Sequence, residues 1–394
     1  MIKGKWKRKI YFTGGKILSF INKWIPKNEN KIMIFCKGPL CDNSETLFHY
    51  LVDNGYQKKY NIYCVVDKPE RYAEYVQENV HFCKLKQSLG LVFTAKYNFY
   101  HGEMLAIHPT KNQVWVNYWH GTPLKKINHM LDKLGDYEYD FFTYLTAPKK
   151  CFVPIMAQAF DCDESKVILC GHPRNDDLFS KGWEFGKLGM KQGEYKKIVM
   201  WMPTYRKSRD GSIVDSKEEY LENGGLPIFH SEESIVELNN YLATENVLLL
   251  VKFHPAQNLQ DFRLHENTHI KFLSHSQMIE QKLALYKLVK DADFLITDYS
   301  SVYFDYLLLD RPIGFTIEDM KEYEDNRGFV FEHPFEYMPG RIIQNKEEFM
   351  SFMQDTIAGM DGYEKERARV NALVNEVNTP NNCKRLLEKI GMLL

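Results

Sequence analysis

From Lys31 onward, short apolar runs of strand length alternate with stretches of helical periodicity. Ile32–Cys36, Asn61–Val66, Phe82–Leu85, Val114–Trp119, Phe141–Thr146 and Val167–Cys170 read as strands. Ser44–Asn54, Glu70–Glu78, Ser88–Lys96, Leu124–Leu131 and Cys151–Phe160 read as helices between them. Such alternation predicts a doubly wound α/β domain with a parallel sheet. Lys181–Lys197 is polar and glycine-containing, which places a domain junction there. A second alternating series follows: Ile198–Met202, a long variable loop, a helix at Ser234–Leu242 and a strand at Val247–Phe253. Phe272 begins another strand, and Gln277–Lys290 is helical. Phe294–Thr297 is a strand, broken by Asp298-Tyr299-Ser300-Ser301 before a helix at Ser301–Leu309 and an apolar run at Ile313–Phe315. Ile342-Ile343 and Glu347–Met353 finish the sheet, and Gly362–Val377 and Asn382–Leu394 are helical, split near Pro380.

The pattern before Lys31 differs. Ile10, Ile17, Leu18, Ile21, Trp24 and Ile25 recur near helical spacing, although Gly14-Gly15 weakens the helix. Lys3, Lys5, Lys7, Arg8, Lys9, Lys16, Lys23 and Lys27 all precede the first acidic residue, Glu29. A basic amphipathic segment of this kind can lie on an anionic membrane, each cation near the surface contributing about 1 kcal/mol. The alternative is a helix packed on the first domain with its lysines in water. The expected organisation is this segment at 1–28, a first α/β domain at 29–190 and a second at 191–394, with a cleft between the two domains.

Length and composition agree. At 394 residues the chain exceeds one ordinary core, and 44% hydrophobic residues is globular composition. A net charge of −1 excludes nucleic acid as a partner by electrostatics. Eight cysteines without a CxxC pair, and no secretory signal or long apolar run, predict a reducing, cytosolic setting. Asp161-Cys162-Asp163 reads as a turn, and the histidines show no metal-ligand spacing, so no metal or cofactor is expected.

Candidate chemistry gathers just past the carboxyl ends of predicted strands, where open parallel sheets bind ligands. His120-Gly121-Thr122-Pro123-Leu124-Lys125-Lys126 follows one strand, and Gly171-His172-Pro173-Arg174-Asn175-Asp176 follows another. Pro203-Thr204-Tyr205-Arg206, His254-Pro255 and Asp298-Tyr299-Ser300-Ser301 follow three more. His120 can accept a proton from an attacking hydroxyl, Gly121 admits a ligand close to the backbone, and Thr122-Pro123 fits a helix start. Lys252, His254, Arg206 and Arg174 offer the cationic donors that a diphosphate needs. Ser300 and Ser301 can cap the following helix or bind an anion at its start, with Asp305 on the same helical face. Each residue also has a plain structural reading. His120 can be a structural hydrogen-bonder, Arg174 a loop ion pair with Asp176 or Asp177, and Lys252 a strand end at solvent.

Together, Trp119–Lys125, Gly171–Asp176, Pro203–Arg206, Lys252-Phe253-His254-Pro255 and Thr297–Tyr306 resemble the CDP-glycerol glycerophosphotransferase family of teichoic-acid primases and polymerases. Arg327-Gly328-Phe329 resembles a further family block, or is a loop anchor. His172 stands where the family block often has tyrosine, and Phe253 where leucine is commoner. The resemblance implies a GT-B-like fold of two Rossmann-like domains. It implies transfer of glycerol phosphate from CDP-glycerol to a hydroxyl of a lipid-linked saccharide acceptor, with release of CMP. His120 would be the general base or its close partner, and His254 would stabilise the diphosphate. Gly121, Thr122, Pro123, Leu124, Arg174, Pro203, Thr204, Lys252, Ser300, Ser301 and Asp305 would line the donor site, joined by Arg206 for its bidentate phosphate geometry. The expected location is peripheral, on the cytoplasmic face of the bacterial membrane, in synthesis of teichoic acid or a capsular polymer. The chain's size suggests a primase, a short-chain transferase or a capsule enzyme rather than a large polymerase. CDP-ribitol as donor, a nucleotide-sugar glycosyltransferase of the same fold, and an inactive membrane-surface assembly protein are the other readings.

Overall fold

The computed structural model describes residues 5–131, 137–204, 226–253 and 268–394. The chain divides into two compact units. The first holds the residues up to Thr122, Ile127–Phe179 and Val374–Leu394; the second holds Pro123–Lys126 and Ser180–Leu373. The junction therefore lies at Phe179–Ser180, and the C-terminal residues return to the first unit rather than remaining with the second.

In the first unit, α1 (Lys5–Asn22) leads to β1 (Asn28–Phe35), α2 (Asp42–Asp53), β2 (Asn61–Val65) and β3 (Val80–Cys83). Then come α3 (Leu85–Thr94), β4 (Ala95–Tyr100), β5 (Val114–Asn117), β6 (Tyr144–Ala147), α4 (Phe152–Phe160) and β7 (Val167–Leu169). All seven strands are parallel, in the order β3-β2-β1-β4-β5-β6-β7. Ile34 of β1 faces Cys64 on one side and Phe99 on the other. The sequence pattern shows no strand at β4, which is central to the sheet. Its polar Lys96 and Asn98 break the apolar run, and it follows α3 without a loop. The predicted helices at Glu70–Glu78 and Leu124–Leu131 are corrected as well. The first is a 3-10 segment at Pro69–Tyr75, and only a 3-10 turn, Asn128–Met130, forms within the second.

In the second unit, β8 (Lys197–Met202) precedes α5 (Glu232–Glu245), β9 (Val247–Lys252), β10 (Ile270–Leu273), α6 (His275–Glu280) and α7 (Leu285–Asp291). The chain continues through β11 (Phe294–Thr297), α8 (Val302–Tyr306), β12 (Ile313–Thr316), α9 (Met320–Asn326), β13 (Arg341–Ile343), α10 (Lys346–Ile357) and α11 (Glu364–Val374). Six parallel strands run in the order β10-β9-β8-β11-β12-β13. Every residue of β9, VLLLVK, is buried, as expected of a parallel strand covered on both faces.

The last helix, α12 (Asn382–Lys389), packs back on the first unit. Cys383, Leu386, Leu387 and Ile390 share one core with Ile32, Ile34, Phe48, Cys64 and Tyr118. Each fully buried leucine there contributes roughly 1.5–3 kcal/mol. Asp176 caps the helix, accepting from the backbone N–H of Asn382 (2.8 Å) and Cys383 (3.0 Å). Gly171 lies so close that a Cβ would fall 1.7 Å from Asn382 Oδ1, so no larger residue fits.

Helix α1 runs unbroken through Gly14-Gly15. At Gly15 a Cβ would meet the Ala106 carbonyl at 2.0 Å, so the missing side chain lets the helix approach the first unit. Tyr11 donates to the Met104 carbonyl, and Asn22 to the His108 carbonyl and Gln113. The opposite face carries Trp6, Ile10, Ile17 and Phe20, all well exposed, and Trp24 just beyond the helix is 77% exposed. No described helix is long and apolar enough to cross a membrane.

Candidate active site

In the first sheet the strand order reverses between β1 and β4, the point at which an open α/β sheet leaves a crevice beyond its strand ends. Three segments meet beyond those ends: the start of α2 after β1, His101-Gly102 after β4, and Trp119-His120-Gly121 after β5. The His120 and His101 rings lie 5.5 Å apart, edge to face, and Trp119 stacks obliquely on His120 at 4.5 Å. Ser44 Oγ sits 3.4 Å from His101 Nδ1 and 3.3 Å from the Tyr118 hydroxyl. Among the described residues, no group of three or more His, Cys, Asp or Glu is placed to hold a metal ion.

The backbone around His120 is strained. Trp119 has φ 51°, Gly121 φ 119° and Gly102 φ 72°; Asp42, the first residue of α2, has φ 56°. Left-handed conformations at non-glycine residues cost of order 1–3 kcal/mol each and gather at functional sites. Hydrogen bonds hold the strain in place. Asn117 Oδ1 accepts from the Trp119 N–H (2.9 Å), and its amide donates to the Gly102 carbonyl. Arg174 Nη1 donates to the His120 carbonyl (3.0 Å) and to both oxygens of Asp42 (3.1 and 3.0 Å). Arg174 is itself 5% exposed, and its backbone N–H donates to buried Asn43.

His120 is exposed to solvent, although the Trp119 and His101 rings and Gly102 lie against its imidazole and take water from part of it. That desolvation, with His101 beside it and Arg174 near, pushes its pKa down to about 4, against the pull of Asp42. Its imidazole is therefore neutral at ordinary pH and able to accept a proton. Burial lowers the His101 pKa too, again opposed by Asp42. Burial disfavours charge on Asp42, but Arg174 and the two histidines outweigh it and hold the carboxyl below its usual range.

The second sheet reverses between β8 and β11. Pro203 and Thr204 follow β8, and both the N–H and the hydroxyl of Thr204 donate to buried Asp298 at 2.9 Å. Lys252 ends β9 and is 7% exposed. Ser300 and Ser301 are half-buried ahead of α8, and Ser301 makes no side-chain cap. Asp305 is fully buried and accepts from the Tyr286 hydroxyl at 2.5 Å, so its carboxylate is an internal partner of α7 rather than a surface group. Thr122 is buried with its hydroxyl 3.3 Å from His172 Nε2. Pro123 begins no helix: Leu124–Lys126 pair instead with Gly328–Val330. The Leu124 carbonyl accepts from the Val330 N–H, and the Lys126 N–H donates to the Gly328 carbonyl. Phe329, in the same ladder, packs on the stacked Tyr299 and Tyr323 rings. Arg206 and His254 lie outside the described residues.

The family model described as CDP-Glycerol:Poly(glycerophosphate) glycerophosphotransferase matches residues 17–391. The chain belongs to this family. A teichoic acid poly(glycerol phosphate) polymerase of Bacillus spizizenii is 28% identical over 356 residues, covering 84% of this chain and 85% of that protein. A teichoic acid glycerol-phosphate primase of Bacillus subtilis is 25% identical over 367 residues, 88% of each. Matches also include a teichoic acid ribitol-phosphate primase of Bacillus spizizenii, 24% identical over 301 residues, 68% of this chain and 71% of that protein. Among solved structures, the wall teichoic acid polymerase TagF superposes with a TM-score of 0.71 at 18% identity, over 98% of this chain and 96% of that one. The two parallel-sheet units are thus those of a GT-B-like fold, and the enzyme is a transferase of the glycerophosphotransferase family. Chain length does not separate a primase from a polymerase here, because a relative named as a polymerase is matched over most of its own length.

The sequence pattern passes over His101, Asp42, Asn43 and Ser44. Two signals were present: His101-Gly102 repeats the His120-Gly121 pairing after another strand, and Asp42-Asn43-Ser44 opens a helix next to a strand end.

Proposed function

We propose that this enzyme moves glycerol phosphate from CDP-glycerol to a hydroxyl of a lipid-linked saccharide acceptor, releasing CMP, in the synthesis of teichoic acid or a related cell-surface polymer. The observation that carries this is His120: a neutral, solvent-reachable imidazole, held on strained backbone at a sheet's switch point, in a chain of this family. The acceptor oxygen attacks the β-phosphorus, the bond from that phosphorus to the bridging oxygen breaks, and CMP departs with the bond's electrons. His120 takes the acceptor proton. Gly121–Leu124, Pro203, Thr204, Lys252, Ser300 and Ser301 serve the donor, together with His254 and Arg206. Phosphoryl transfer asks chiefly for positioning and charge stabilisation, which suits a site of this composition. CDP-ribitol is the second donor to consider, because ribitol-phosphate enzymes are among the relatives.

Helix α1 supports a peripheral membrane location on the cytoplasmic face. Its outward apolar stripe lies opposite its packed face, and Lys9 and Lys16 run along one edge of the stripe, an arrangement suited to anionic lipid.

The deciding experiment incubates the enzyme with CDP-glycerol, CDP-ribitol or a nucleotide sugar and lipid-linked acceptors, with products read by mass spectrometry. CMP and a glycerol-phosphate adduct are expected, and His120→Ala should lower turnover about 10²–10⁴-fold. Release of a nucleoside diphosphate with sugar transfer would establish the glycosyltransferase reading instead. For the helix, Ile17→Asp with Trp24→Asp should abolish flotation with anionic vesicles. Flotation equal to the parent would remove the membrane role.

A further inference from the structure

We infer that His101 is a second catalytic histidine, which donates a hydrogen bond from Nε2 to an oxygen of the transferred phosphoryl group. The inference rests on the phosphoryl-transfer reading with His120 as proton acceptor, and it gives the neighbouring ring the complementary task.

Three observations carry it. His101 stands at the end of β4, beside the point where the strand order reverses, and its ring meets His120 edge to face at 5.5 Å. Rings so placed can serve neighbouring oxygens on one phosphorus. Next, the two ring nitrogens of His101 differ. Nδ1 turns inward to Ser44 Oγ at 3.4 Å, whereas Nε2 has no hydrogen-bond partner among the described residues and is open to solvent. Finally, buried groups fix which nitrogen carries the hydrogen. Tyr118 is wholly buried, and its hydroxyl has Ser44 Oγ at 3.3 Å as its partner, so the phenol donates there. Ser44 then sends its own proton to His101 Nδ1, because its other neighbour, the Cys36 thiol, is a much weaker acceptor than an imidazole nitrogen. The ring hydrogen is left on Nε2, the open side.

Charge and chemistry agree with this arrangement. Burial, with Arg174 near, lowers the His101 pKa against the pull of Asp42, so the ring is neutral at ordinary pH. A neutral imidazole with its hydrogen on Nε2 is a donor at that atom and not a base. As the acceptor oxygen closes on phosphorus, charge on the peripheral oxygens is stabilised by a donor already in place. The relay from Tyr118 through Ser44 to His101 joins the residue after β5, the first turn of α2 and the residue after β4. The donor is thus set by the same three segments that meet around His120.

The test compares His101→Phe with His101→Gln in the full chain, using CDP-glycerol and a lipid-linked acceptor. Phenylalanine fills the space without a donor. Glutamine can bring an amide N–H near the position of Nε2, yet it is no base. The phenylalanine variant should lose about 10²-fold in kcat, as for removal of one transition-state donor, and glutamine should recover about tenfold of that loss. Thermal melting checks that both variants fold. Independently of turnover, nitrogen NMR of the parent should show His101 protonated at Nε2 and bare at Nδ1, and Ser44→Ala should mix the two tautomers. A kcat within about threefold of the parent for His101→Phe, glutamine no better than phenylalanine, or a proton on Nδ1 in the parent would each overturn the assignment. His120→Ala separates the two levels. If it retains turnover, the proton-acceptor reading fails, while the glutamine rescue and the tautomer still decide whether His101 is the donor.

Discussion

Gly102 is the sharpest probe of how tightly His120 is placed. A Cβ built there would sit 3.0 Å from both Cε1 and Nε2 of His120, on backbone with φ 72°. Unstrained carbon contacts lie at about 3.5–4.0 Å, so Gly102→Ala must push the ring by roughly 0.5 Å or more, or tilt the loop that carries it. The left-handed backbone adds about 1–2 kcal/mol of destabilisation, which predicts melting lower by a few degrees. Misplacing a reacting group by 1 Å costs on the order of 10²-fold, so a displacement of half that size predicts about tenfold loss of kcat. Steady-state kinetics with CDP-glycerol should show this loss in kcat, with the donor KM little changed. Gly14→Ala is the control. It is a helical glycine with nothing within 4 Å of its added Cβ, so it should leave kcat alone and stabilise α1 by up to about 1 kcal/mol. Parent-like kcat for Gly102→Ala, with the His120 ring shown to have moved, would refute the claim that turnover depends on its placement.

Three further outcomes are expected. In a pH titration of the free enzyme by NMR, His120 should stay neutral until about pH 4, below the ordinary histidine value of 6.5. Between those values the unfolded chain holds a proton that the folded chain does not, so this group's contribution to stability is complete above pH 6.5 and lost as the pH falls towards 4. A His120 pKa near 6.5 would contradict the packing described. Tyr286→Phe removes the hydroxyl that buried Asp305 accepts from, and should cost roughly 1–3 kcal/mol by thermal melting, with partial recovery when Asp305→Asn is added. Gly171→Ala forces a Cβ into Asn382, so it should loosen α12 and expose the C-terminal residues to protease. Unchanged melting and protection would show that the loop yields without strain.

The alternating apolar pattern reveals most of the two sheets because parallel strands are buried on both faces and written as continuous apolar runs, as β8, β9 and β11 are. It fails where burial is achieved by other means. In β4, Asn98 is wholly buried and Lys96 partly so, and the strand is recognised only by its pairing with Ile32–Phe35. The residues after Pro123 look helical because Leu124, Ile127 and Leu131 are suitably spaced. Their backbone groups are instead satisfied by Gly328–Val330, far along the chain, a partner that local spacing does not disclose. The site follows the same division. His120 is legible as a histidine and glycine after a strand, whereas Asp42 and His101 acquire their place only when β1, β4 and β5 lie side by side.

The docking of α12 has a consequence for biosynthesis. Cys383, Leu386, Leu387 and Ile390 belong to the core around β1 and β2, so a nascent chain that has emerged only as far as β7 has the whole sheet but an open wall. The unit translated first must wait, partly solvated, while the more than two hundred residues from Cys170 to Asn382 are made. During that interval its exposed apolar surface is available to chaperones, or to neighbouring nascent chains, which makes expression temperature and C-terminal fusions matter more for this enzyme than its separate sheets suggest.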